Sequence, residues 1–184
     1  MKKFLSVKTI VAIGIGAALF FVLGRFVAIP SGVPDTNISI QYGVLAFIAA
    51  IFGPIAGLLA GLIGHFFIDF SWGWGVWWSW VIASAFFGCV MGLVASKLKI
   101  ADGEFTKKDI LLFNLSQIIA HLLSWVVIAP VLDIVMYQEP ANKVFVQGLV
   151  SAGINIIATA IVGTILCVAY AAARPKKDSL TEEN

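Results

Sequence analysis

From Val144 to Ala173 the chain runs without one charged side chain. A bilayer's hydrocarbon layer is about 30 Å thick and takes about 20 apolar residues per helix, so this run is long enough to cross it. Val7 to Ile29, Trp77 to Ser96 and Ile110 to about Tyr137 have the same apolar character. The region from Ile40 to Phe70 is apolar too, but Gly53-Pro54 interrupts it. Proline suits the first turn of a helix and not its interior, so two shorter helices are expected there, Ile40 to Phe52 and Pro54 to Phe70. The expected fold is an all-α integral membrane protein, a bundle of six transmembrane helices. It fills one domain, residues 1–175, followed by a short charged cytoplasmic tail at 176–184. One long kinked helix in place of two would leave five spans.

Composition closes off other classes. With 60% hydrophobic and 12% charged residues and a mean hydropathy of +1.00, the chain has more apolar surface than one small core can hide. A soluble domain, a disordered tail and a nucleic-acid binder are excluded. Cys89 and Cys167 both lie inside apolar runs, so neither a disulfide framework nor a zinc spacing is available.

Charge placement gives an orientation. Lys2, Lys3, Lys8, Lys97, Lys99, Lys107, Lys108, Arg174, Lys176 and Lys177 fall on one side of the six spans, and only Arg25 and Lys143 on the other. Under the positive-inside rule both termini are expected to be cytoplasmic, which requires an even number of spans. Met1-Lys2-Lys3 resembles the start of a secretory signal, but the apolar run after it is too long, so it is read as a retained first helix. The outer side then carries Pro30 to Ser39, rich in turn formers and long enough to act as a lid.

Polar side chains inside spans mark the interior of a bundle. Asn114, Gln117, His121 and Ser124 share one face of the fifth span, and Gln147, Ser151, Asn155 and Thr159 recur every four residues on the sixth. His65 and Asp69 lie one turn apart on the third. Interhelical hydrogen bonding is the plain alternative for any one of them. At about 1.5 Å per residue, Gln147, Ser151 and Asn155 occupy the outer half of the sixth span, whereas Asn114 and Gln117 lie too deep for a site open to the outside. Trp72, Trp74, Trp77, Trp78 and Trp80 crowd the outer end of the fourth span. A lipid belt accounts for some of them, and the others are expected to form a stacking wall, to which Trp125 can add. The expected binding residues are therefore His65, Asp69, Trp77, Trp78, Trp80, His121, Ser124, Gln147, Ser151 and Asn155. No cluster of like charges is legible facing this site, so affinity is expected to be insensitive to salt.

Small residues define another face. Ala12, Gly14, Gly16 and Ala18 form two small-x-x-x-small pairs on the first span, suited to a partner helix or to packing within the bundle. The chain has no phosphate loop, no His-Glu-x-x-His and no Gly-x-Ser-x-Gly, so no metal site, ATPase or other enzyme is expected.

These features together resemble the substrate-binding S components of energy-coupling factor (ECF) transporters. Ala12-Ile-Gly-Ile-Gly-Ala-Ala-Leu-Phe20, Phe52-Gly-Pro-Ile-Ala-Gly57, Gly61-Leu-Ile-Gly-His65 and Trp77-Trp-Ser-Trp80 are similar to a subgroup long labelled as uncharacterised membrane proteins. The resemblance implies a multi-pass protein of the bacterial cell membrane that captures a vitamin outside, with cobalamin the expected ligand. It also implies a transmembrane T component, docked on Ala12/Gly16 and Gly14/Ala18, and two cytoplasmic ATPases that bind ATP and Mg; the chain needs no cofactor of its own. Methionine-cycle or pyrimidine precursors are the alternative ligands. A self-contained secondary transporter or channel is the alternative class, with Asn114 and Gln117 the only hint of a path to the cytoplasm.

Overall fold

The computed structural model describes residues 6–33, 36–73 and 75–174. Lys2, Lys3, Pro34, Asp35, Trp74, Lys176, Lys177 and the tail at 176–184 lie outside the described residues. Six helices make up most of the described chain: α1 (Val7–Val27), α2 (Gln41–Phe52), α3 (Pro54–Trp72), α4 (Trp78–Ala95), α5 (Lys107–Tyr137) and α6 (Ala141–Ala172). Five are long and apolar enough to cross a membrane, and α2, with 12 residues, is the short one. Ile29–Pro30 and Asn37–Ile38 add a small antiparallel strand pair between α1 and α2, a feature that an all-helical expectation omits.

Local chemistry sets the helix ends. Gly53 has φ 87°, a conformation that favours glycine, and Pro54 starts α3 in its first turn, so the chain reverses there. Helix α5 starts before Ile110 because Thr106 and Asp109 form a reciprocal cap. The Thr106 hydroxyl accepts the Asp109 N–H at 3.3 Å, and the Asp109 carboxylate accepts the Thr106 N–H at 2.9 Å.

Two helices widen into π turns, at Leu23–Val27 in α1 and Leu123–Ile128 in α5. Pro130 follows the second and removes the amide that would close a regular turn onto Val126. The π turn in α5 carries Trp125, whose carbonyl oxygen lies only 2.0 Å from where a Cβ on Gly148 would stand. Only glycine there lets α5 and α6 meet so closely.

Helices α3 and α4 cross backbone to backbone. A Cβ on Gly88 would come within 2.2 Å of the Gly57 oxygen, and one on Gly57 within 2.3 Å of the Gly88 oxygen. On α1 the small residues divide between two faces. Ala12 and Gly16 are buried, Gly16 against Ala60 and Ile48, whereas Gly14 and Ala18 face outward. On α6, Ile157, Ile161 and Ile165 stand exposed for lipid while Gln147, Ser151, Asn155 and Thr159 are buried on the other side.

Gly88→Ala is expected to destabilise the purified protein by about 1–3 kcal/mol, because the intruding methyl meets backbone and not a movable side chain. Gly153→Ala, where a Cβ meets nothing within 4 Å, should leave thermal unfolding in detergent essentially where it was. Identical unfolding of the two variants would show that the α3–α4 crossing tolerates separation.

Candidate functional site

A cavity of about 540 Å³ opens at the end of the bundle where the π turns, the strand pair and the start of α4 come together. Tyr42, Trp72, Trp77, Trp80 and Trp125 supply its aromatic lining. The Trp80 and Trp125 rings are 5.2 Å apart, and Tyr42 meets Trp125 edge-on at 5.3 Å. Asn37, Ser39, Gln41, Gln147, Ser151 and Asn155 supply neutral polar groups. The Ser151 hydroxyl is buried and lacks a protein partner, although it lines the cavity. Asn114 Oδ1, Gln117 Oε1 and Ser124 Oγ are buried without a partner as well, but of these four residues only Ser151 belongs to the lining.

The indole N–H groups of Trp77, Trp80 and Trp125 are each held by a side chain. Trp77 Nε1 donates to the Asp133 carboxylate at 2.6 Å and Trp80 Nε1 donates to it at 2.9 Å, while the Ser79 hydroxyl donates to the same group. Trp125 Nε1 donates to His121 Nδ1 at 3.1 Å, which leaves Nε2 of a neutral imidazole to donate to Thr159 Oγ1 at 3.0 Å. A second chain joins α2, α3 and α4. Tyr42 and His65 both meet the Ser84 hydroxyl, at 2.7 and 2.5 Å, and His65 Nε2 lies 3.6 Å from Asp69. Asp69 also accepts the backbone N–H of Trp77 at 2.9 Å, tying the end of α3 to the approach to α4. These bonds fix the rings that a ligand would meet.

Among the residues expected to bind, His65, Asp69, Trp77, Trp80, Gln147, Ser151 and Asn155 line the cavity. Three do not. Trp78 is 44% exposed on the outer surface beside Phe66, where a ring suits lipid. His121 and Ser124 are fully buried behind the wall, His121 stacked on Phe87 at 4.1 Å. His121 supports Trp125 from behind and touches the cavity only through it.

The lining is also more charged than expected. Asp133, Glu139 and Lys143 join Asp69 around it, with Lys143 and Glu139 paired at 2.9 Å. Asp133 is an isolated acid inside an apolar span, a signal legible in the sequence because an intramembrane carboxylate marks function by default. Below the cavity the seam between α5 and α6 holds Gln117, which donates to the Ile156 carbonyl, and Asn114, which donates to Thr164. Phe113 packs against Gly163 at the same depth. These side chains of α5 pack against α6 and do not line the cavity, which reaches Asn155, Trp125 and His65.

Among the described residues no group of three or more His, Cys, Asp or Glu side chains is gathered to hold a metal ion.

Comparison with known proteins fits this architecture. Residues 4–172 match the family described as ECF-type riboflavin transporter, S component. UPF0397 proteins of Staphylococcus aureus strains MSSA476 and Newman are each 54% identical over 182 residues, covering 99% of this chain and of theirs. The fold is similar to a crystal structure of FolT bound with folic acid, with a TM-score of 0.63 and 20% identity, over 88% of this chain and 98% of that one. It is also similar to the S component for biotin from an ECF-type ABC transporter, with a TM-score of 0.61 and 17% identity, over 91% and 93%. A membrane bundle with a cavity at one end, matched over nearly its whole length, belongs to the S-component family of ECF transporters, the substrate-binding subunits of a transport system and not enzymes.

Proposed function

We propose that this chain captures a flat, ring-bearing micronutrient from outside a bacterial cell and delivers it through a T component driven by two ATPases. The observation that carries this reading is the blind aromatic cavity, open at one end of the bundle and lined by amides and hydroxyls. Both termini lie in the cytoplasm in this reading, following the bias of basic residues, and the cavity mouth faces out. The chain binds no cofactor, and ATP and Mg belong to the partner ATPases.

The size of the cavity bears on the ligand. At about 540 Å³ it falls in the range that encloses most of a small drug-sized molecule. Riboflavin and folic acid, named for the family and for one structural neighbour, both carry fused flat rings with amide-like edges that suit such a lining. A pyrimidine precursor is of a size to fit as well. Cobalamin, expected from the resemblance, has the amide fringe but far more bulk, and it fits only with much of its ring outside the mouth. A single flat heterocycle is therefore the reading we favour, with cobalamin as the competitor to test. A self-contained channel is disfavoured by the packed seam below Asn155.

The face for the T component is the outward side of α1. Gly14 and Ala18 stand beside a shallow apolar groove with Phe21, Ile63 and Phe67, while Ala12 and Gly16 are taken up by internal packing. Gly14→Leu with Ala18→Leu should leave ligand binding intact and abolish uptake in cells, because bulk blocks close helix approach. Normal uptake by that double variant would remove the docking assignment.

The purified chain in liposomes is expected to bind ligand without accumulating it, with or without ATP. Accumulation on an ion gradient alone would instead identify a secondary transporter. Tryptophan quenching by riboflavin, folate, biotin, an aminopyrimidine and cobalamin ranks the ligand classes directly. For whichever binds, Asn155→Leu should weaken affinity by about 1–3 kcal/mol through an unpaired polar group. An unaltered affinity would move the site away from α6.

A further inference from the structure

Asp133 lines the cavity, yet it is only 2% exposed, and each of its hydrogen-bond donors is a neutral group: two indole N–H groups and a hydroxyl. Among the described residues no ion pair to it is formed. Neutral donors solvate a carboxylate without cancelling its charge, and a buried charge is costly until one of opposite sign completes it. The donors matter as well. An indole that gives its N–H to an anion gains electron density over its ring, which strengthens the attraction of that ring for a cation.

Other charges around the cavity point the same way. Asp69 and Glu139 add two carboxylates, against which stand Lys143, paired with Glu139 at 2.9 Å, and His65, 3.6 Å from Asp69. Arg25 lies 3.8 Å over the Trp72 ring and donates to Ser71 at 3.0 Å. It is not part of the lining, and the Trp72 ring it covers is not one of the indoles bonded to Asp133, so its positive charge is held away from Trp77 and Trp80. Neutral polar side chains complete the lining, Gln147, Ser151 and Asn155 from α6 and Asn37, Ser39 and Gln41 from before and at the start of α2.

We infer that the cavity selects a positively charged flat ring, such as a quaternised or amino-protonated nitrogen heterocycle, seated against Trp77 and Trp80 with Asp133 behind them as counter-charge. This rests on the cavity being the substrate site and narrows its substrate class. Asp133 acts in it as a positioning residue for the two indoles and as a source of field.

Three rings of nearly equal size test this: 1-methylnicotinamide, nicotinamide and nicotinate, which are cationic, neutral and anionic. Their affinity for the purified full-length chain in detergent is read by quenching of tryptophan fluorescence. The cation is expected to bind about tenfold tighter than the neutral ring, and the anion weakest. Asp133→Asn should shrink the ratio of cation to neutral affinity toward one. If that variant fails to fold by circular dichroism, the wild-type series alone decides. Equal affinities, or a preference for the anion, overturn the charge selectivity while leaving the cavity as a ligand site. No quenching by any of the three in folded protein overturns it as well. A probe that binds with the same affinity to Trp77→Ala and Trp80→Ala would overturn the cavity itself as the site.

Discussion

In lipid two apolar helices gain nothing by hiding from solvent, so a bundle holds only where backbones come close enough for dispersion and polar contacts to accumulate. Gly57 and Gly88 meet this demand between α3 and α4, as does Gly148 beneath the Trp125 carbonyl between α5 and α6. The cavity stands on both contacts. The first brings Ser84 to His65 and Tyr42, and the second sets Trp125 beside the stripe of Gln147, Ser151 and Asn155.

Much of this architecture is legible in the sequence because the bilayer reduces the fold problem to length and hydropathy. Six helices follow from apolar runs and from one Gly-Pro break, and the buried stripe on α6 follows from a four-residue spacing. Other features depend on geometry that spacing does not carry. His121 and Ser124 share the inward face of α5, but the inward face at that depth meets Thr159 and Phe87, and Trp125 stands between it and the opening. Periodicity tells inside from outside and does not tell a packed interior from a hollow one. Asp133 itself stands out as an acid in an apolar span, but its partners do not. Its donors come from the start of α4, more than fifty residues away in the chain, so nothing next to it announces a buried partner. The division of the small residues on α1 is a matter of helical phase: Ala12 and Gly16 point one way, Gly14 and Ala18 the other.

The bundle is polar at one end and closed at the other. Toward the cavity α6 presents amides and hydroxyls, and beyond Thr159 the same stripe continues as Gly163, Cys167 and Ala171, all buried. A ligand can therefore enter this chain from one side without a path through it.

The shortness of α2 has a consequence for the surrounding membrane. Twelve residues rise only about 18 Å, some 12 Å less than the hydrocarbon layer. Non-helical backbone is tolerated at membrane depth only where it is shielded by protein or faces a water-filled space, and the strand pair just before α2 borders such a space. The cavity wall is thus lower on the α2 side, like a well whose rim is set by the longer helices around it. A thicker bilayer deepens that well and a thinner one brings the mouth nearer the surface, so lipid chain length becomes a physical variable in how readily a solute reaches the tryptophans.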